Sequence, residues 1–190
     1  MNMNRRLLLL ASLPLPAVAA PALKAGVFDP ARPAPEFALK GSDGAPLTLA
    51  RFKGRLVLLV FGFTNCPEVC PTTLATLAQA RKQLGSDAAA VQVVYVTVDP
   101  ERDDLARIRQ YLAAFDPGFI GGTAAPDTLA AMRKRYGVVA EKIAQANAYG
   151  MNHSTSVYLI DRAGLLRALM PYGHGAADFV HDLRQLLAIR

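Results

Sequence analysis

The chain has 190 residues and a net charge of +6, with Lys and Arg exceeding Asp and Glu by 21 to 15. That length suits one ordinary domain with a sizeable core and is short for two. The positive excess forms no basic block: Arg133-Lys134-Arg135 falls in a helical pattern and reads as a solvated face, and few aromatics alternate with basic residues, so nucleic-acid binding is not indicated.

In chain order, the first feature is an export signal. Arg5 and Arg6 form a charged opening, Leu7 to Leu13 an apolar run, and Ala17-Val18-Ala19 a small-residue site of the A-x-A type. Residues 1–20 are therefore expected to act as a signal peptide or a retained N-terminal anchor. The domain would then work in the periplasm, touching a membrane only through that anchor. The paired arginines also fit a twin-arginine route, and no cysteine follows the apolar run to carry a lipid. Hydrophobic residues make up 52% of the chain, but no stretch after Ala25 approaches the roughly 20 apolar residues of a membrane span. Removing residues 1–20 takes away two arginines and no acids, which lowers the net charge from +6 to +4.

Residues 21–36 are rich in Pro and Ala and read as an extended linker, so the domain is expected over residues 37–190. It opens with Phe37 to Leu39, the turn GSDG at 41–44 and a short strand at Leu47-Thr48-Leu49. Arg55 to Phe63 (RLVLLVFGF) is a continuous apolar run, the mark of a strand buried on both faces. A helix follows over Thr72 to Leu84, with Pro71 in its first turn and Gly85 at its end. Val91 to Val98 is a second buried strand. Helices are expected over Asp103 to Phe115 and Asp127 to Tyr136, with a short strand at Phe119-Ile120 between them. Ser156 to Ile160 and Leu165 to Met170 flank the turn Asp161-Arg162-Ala163-Gly164 as a hairpin, and Ala176 to Ile189 is a closing helix. This order predicts an α/β protein of thioredoxin-like architecture. Its central sheet should be mostly parallel, with a C-terminal antiparallel hairpin and flanking helices.

The chemistry concentrates where the first buried strand gives way to a helix. Cys66 and Cys70 are the only cysteines in the chain. A disulfide serving only as a staple would more often close a long loop, so their closeness points to chemistry. At a helix N-terminus the free N–H groups and the dipole favour thiolate. On one helical turn, four residues place two Cα atoms roughly 6 Å apart. That spacing permits either a disulfide or convergence of both sulfurs on one metal ion. Thiolates are soft ligands suited to Cu(I), and with imidazole they also suit Cu(II) or Zn. A third ligand must come from His153, His174 or His181. His153 lies just before the strand SVYLI, in a loop that a thioredoxin-like sheet can bring back beside the first helix.

Residues from about 33 to 188 resemble the Sco/SenC family of copper-binding, thioredoxin-fold proteins. The resemblance is carried by FGFTNCPEVCPTTL at 61–74, VTVDPERDD at 96–104, FDPGFIGGTA at 115–124 and NHSTSVYLIDRAG at 152–164. It implies one copper ion, Cu(I) or Cu(II), bound by Cys66, Cys70 and His153, with Cys66 and Cys70 also a redox pair. Asp99 would be a weak ligand, a neighbour of the ligands or an organiser of the turn before Pro100. Asn152 stands where the family often has aspartate, which removes a negative charge beside His153. Phe63 and Glu68 stand where Tyr and Asp are common, and neither alters the ligand set.

The implied function is delivery of copper, or of reducing equivalents, to the dinuclear copper site of cytochrome c oxidase. The implied partners are the copper-receiving oxidase subunit or another copper chaperone, together with a thiol reductant. The same cysteines leave other classes open: a periplasmic thiol–disulfide oxidoreductase with no metal role, a thiol peroxidase, or an interaction domain with a structural disulfide.

Overall fold

The computed structural model describes residues 22–145 and 148–189. The expected leader, residues 1–20, lies outside the described residues. Among those described, ten strands and four α-helices follow one another. The strands are β1 (Gly26–Pro33), β2 (Ala38–Gly41), β3 (Pro46–Thr48), β4 (Leu56–Gly62), β5 (Val91–Thr97), β6 (Ile120–Thr123), β7 (Ala140–Gln145), β8 (Ala148–His153), β9 (Val157–Ile160) and β10 (Leu165–Met170). The helices are α1 (Val69–Leu84), α2 (Leu105–Ala113), α3 (Pro126–Tyr136) and α4 (Ala176–Ala188).

Eight strands form one sheet in the order β1-β10-β9-β4-β5-β6-β2-β3. At its centre every residue of β4 and β5 is buried, in keeping with the unbroken apolar run of β4 and the mostly apolar run of β5, where only Gln92 and Thr97 are polar. Alternate side chains serve opposite layers. Leu56, Leu58, Val60, Val93 and Tyr95 pack with Leu74 and Leu77 of α1, Ile108 of α2 and Leu183 of α4. Val57, Leu59, Phe61, Val94 and Val96 pack on the other face with Leu129, Met132 and Tyr136 of α3. Full burial of each Leu or Val contributes roughly 1.5–3 kcal/mol over exposure, so these central strands hold the two layers together.

The α/β, thioredoxin-like class is as expected, with two differences in pairing. Parallel pairing is confined to β4–β5 and β5–β6; the remaining pairs of the sheet are antiparallel. Much of the expected linker is not free chain either. Residues 26–33 form edge strand β1 along β10, and Ala25 enters the core. An edge strand needs only one bonded neighbour and one half-covered face, so it carries little apolar periodicity.

The hairpin β7–β8 was also absent from the expected elements. It is a separate two-stranded sheet in which Ala140 pairs with His153. Its sequence AEKIAQ has neither a β-branched run nor clean alternation, so pattern alone does not reveal it.

The register decides where the chemistry gathers. β4 and β5 run parallel with Gly62 beside Thr97, so the cysteine segment and the VDPERDD segment leave the sheet at the same end. β9 runs antiparallel to β4 with Val157 beside Val60, which brings residues 153–156 to that end as well. The carboxyl ends of parallel strands are where open α/β sheets usually bind ligands.

Candidate metal centre

The turn after β4 is held before the helix begins. Thr64 donates its N–H and its hydroxyl to the carboxylate of Asp103 at 3.0 and 2.6 Å, and Thr97 at the end of β5 donates to the same carboxylate at 2.7 Å. Asp103 is fully buried, so these bonds replace the water it has lost. Cys66 N–H donates to the Phe63 carbonyl at 3.2 Å, and α1 starts three residues later. Pro71 is the third residue of that helix, where a backbone N–H would have no intrahelical acceptor.

Cys66 Sγ occupies the place of a capping group. It accepts the backbone N–H of Cys70, the second helical residue, at 3.4 Å, while Glu68 offers no side-chain cap. Its thiol pKa is lowered to about 5. The main cause is the Cys70 thiol donating to it; the Cys70 and Glu68 backbone N–H groups and His153 add to this, and partial burial opposes it. Cys70 is 2% exposed, and its thiol is pushed up by its bond to Cys66 and by burial. The pair therefore divides its roles, with a thiolate at Cys66 and a donor at Cys70. Both cysteines are free.

His153 ends β8 rather than lying in a loop. Its Nδ1 is 2.8 Å from the Ser154 carbonyl, which can only accept, so Nδ1 carries the proton. In the neutral imidazole Nε2 then presents its lone pair, 3.6 Å from Cys70 Sγ. The Phe63 ring meets the imidazole nearly edge-on at 5.7 Å and limits its rotation. One ligand atom from each of Cys66, Cys70 and His153 lies within 4.8 Å of the others. Ligand atoms sharing one ion at bonds of roughly 2.0–2.3 Å are at most about 4.6 Å apart. The three donors thus need only small movement to close on a metal.

The other candidate residues lie elsewhere. His174 pairs with Asp178 at 3.0 Å and His181 with Asp182 at 2.9 Å, and neither joins the three-residue group. Asp99 is buried and also stands outside that group. Its carboxylate accepts the Tyr149 hydroxyl at 2.7 Å and bonds Arg102 Nε. Arg102 lies 3.8 Å over the Tyr149 ring, faces Phe63, and donates to the Tyr149 carbonyl at 2.9 Å. Asp99 and Arg102 therefore clamp the hairpin that carries His153 onto the turn after β5.

Arg102, Asp103 and Tyr149 were not among the candidates read from the sequence. Asp103 and Arg102 lie inside the VDPERDD block, but nothing local shows which of its acids faces inward. Tyr149 is 50 positions from Asp99.

A thioredoxin-like α/β domain with two thiols and an imidazole converging at the carboxyl ends of its parallel strands belongs to the class of thiol-based metal and redox proteins. The SCO1/SenC family profile matches residues 28–188, and the chain belongs to that family. It is 34% identical over 157 residues to the mouse mitochondrial protein SCO2 homolog, covering 80% of this chain and 62% of that one. The chain thus spans less than two thirds of that relative's length. Among solved structures it is similar to Bradyrhizobium japonicum ScoI with copper bound, with 32% identity and a TM-score of 0.75 over 80% of this chain and 98% of that one. Apo Sco1 from Thermus thermophilus gives 33% identity and a TM-score of 0.79 over 88% and 99%.

Proposed function

We propose that this protein carries one copper ion on Cys66 Sγ, Cys70 Sγ and His153 Nε2. The copper is cargo for the dinuclear copper site of a cytochrome c oxidase subunit, received from or passed through another copper chaperone. The observation that carries the reading is the convergence of these three donor atoms within 4.8 Å. Two thiolates suit Cu(I), and the added imidazole makes a set that Cu(II) also accepts. The copper held by the Bradyrhizobium relative supports copper over zinc.

The same cysteines form the redox pair. Two thiols become one disulfide by giving up two electrons and two protons to an oxidant, and a thiol reductant reverses this. The disulfide has no thiolate to offer, so the thiol state gates the cargo. Residues 1–20 serve as the export element and place the domain in the periplasm. Among the described residues no helix is long and apolar enough to cross a membrane.

The test is anaerobic copper titration of the reduced protein with metal analysis. One equivalent should bind, and Cys66→Ala or Cys70→Ala should lose it. No uptake by the fully reduced protein rejects the reading.

A further inference from the structure

Tyr95, near the end of β5, is fully buried, yet its hydroxyl has no hydrogen-bond partner among the described residues. Such a group has given up its bonds to water without an evident replacement, which is uncommon in folded proteins. Its ring reaches along the sheet to the end of β4, where Gly62 has no side chain. A Cβ placed there would lie 2.6 Å from Tyr95 Oη and 2.9 Å from Cys70 Sγ. Hydroxyl and sulfur thus border the same small space, which the glycine keeps clear. The neighbouring Tyr111 ring, 6.0 Å away between centroids, does not take the proton, because its own hydroxyl is also buried and unpartnered.

We propose that Tyr95 is a positioning residue for Cys70: its hydroxyl donates a hydrogen bond to Cys70 Sγ and favours the reduced, electron-rich state of that sulfur. In the dithiol, Cys70 keeps its own S–H, which it shares between Cys66 and the bare Nε2 of His153 at 3.6 Å, so Tyr95 and Cys70 form a row of donors. Bonds in such a row polarise and strengthen one another. A disulfide ends the row, because Cys70 then has no proton to pass on. The copper consequence rests on the copper reading above. A donor on a ligand thiolate withdraws electron density and favours Cu(I) over Cu(II).

Tyr95→Phe removes one oxygen and keeps the ring. The deciding measurement needs no metal: equilibration of the Cys66–Cys70 pair with a dithiothreitol redox buffer, which takes up or supplies the two electrons and two protons. The dithiol-to-disulfide ratio should fall roughly three- to tenfold, the size of one hydrogen bond. Tenfold corresponds to about 30 mV for this two-electron couple. Tyr111→Phe should match the wild type. With copper bound, the Tyr95→Phe thiolate-to-Cu(II) absorption should move to longer wavelength and the Cu(II)/Cu(I) potential should fall.

An unchanged thiol ratio in a folded Tyr95→Phe protein overturns the proposal, whatever the copper does. A shifted ratio in a protein that takes up no copper supports the Tyr95–Cys70 bond and rejects only the copper reading. Should the variant not fold, the wild-type dithiol decides by NMR. A protected Tyr95 hydroxyl proton in contact with the Cys70 β protons supports the bond, and a hydroxyl proton without that contact overturns it.

Discussion

His153 Nε2 stands 3.6 Å from Cys70 Sγ, although 83 positions separate the two residues. The antiparallel register of β9 on β4 carries the histidine to the cysteine end of the sheet, and the Ser154 carbonyl turns its free lone pair toward the sulfur.

His153→Ala should therefore remove the only nitrogen of the donor set. Cu(I) tolerates low coordination and should bind only modestly less well, whereas Cu(II) prefers a tetragonal N/S set and should suffer more. The Cu(II)–thiolate charge-transfer spectrum should degrade while circular dichroism stays unchanged. His174→Ala and His181→Ala should leave that spectrum intact. A large loss from His174→Ala with none from His153→Ala would show that the third ligand is misassigned.

Oxidising Cys66 and Cys70 to a disulfide should abolish specific copper binding, and reduction should restore it. Equal copper affinity of the two forms, measured by competition with a chelator, would mean that the thiolates are not ligands.

Iodoacetamide at neutral pH should modify Cys66 before Cys70. Cys66 is half-buried and thiolate-forming, with its pKa lowered to about 5 chiefly by the Cys70 thiol. Cys70 is 2% exposed and is the donor of the pair. Peptide mass mapping of a single-hit reaction reads the order, and preferential labelling of Cys70 would contradict this division of roles.

Arg102→Ala should loosen the hairpin that holds His153. It leaves the buried Asp99 carboxylate with Tyr149 as its remaining side-chain partner and removes the stacking on the Tyr149 ring. A buried group left short of a partner costs roughly 1–3 kcal/mol, which urea unfolding would measure. The Cu(II) spectrum should broaden as the imidazole loses its fixed approach. Tyr149→Phe should have the same effect on stability at about half the size or less. An unchanged spectrum in both variants would show that the clamp does not position the histidine.

Local chemistry made much of this protein legible in its sequence. Arg55 to Phe63 and Val91 to Val98 read as buried strands because a strand covered on both faces has no polar alternation. Helix α1 was marked by Pro71 near its start and Gly85 beyond its end, but it begins at Val69. Cys70 therefore lies on its first turn while Cys66 stands before it and caps it, rather than both cysteines sharing one helical turn. The loop histidine expected beside them was found beside them, although in a strand.

Tertiary structure alone decided what depends on partners far along the chain. β1 and the β7–β8 hairpin bury one side or less, so their pairing partners rather than their own patterns define them. Asp99 had three possible roles in the sequence, and the long-range bonds that it and its near neighbour Arg102 make to Tyr149 made it the root of a clamp. Gly62, Tyr95 and Cys70 meet only because parallel pairing sets the end of β4 against the end of β5. A sequence specifies which groups a residue offers, but a hydrogen bond between distant residues exists only once packing has fixed both ends.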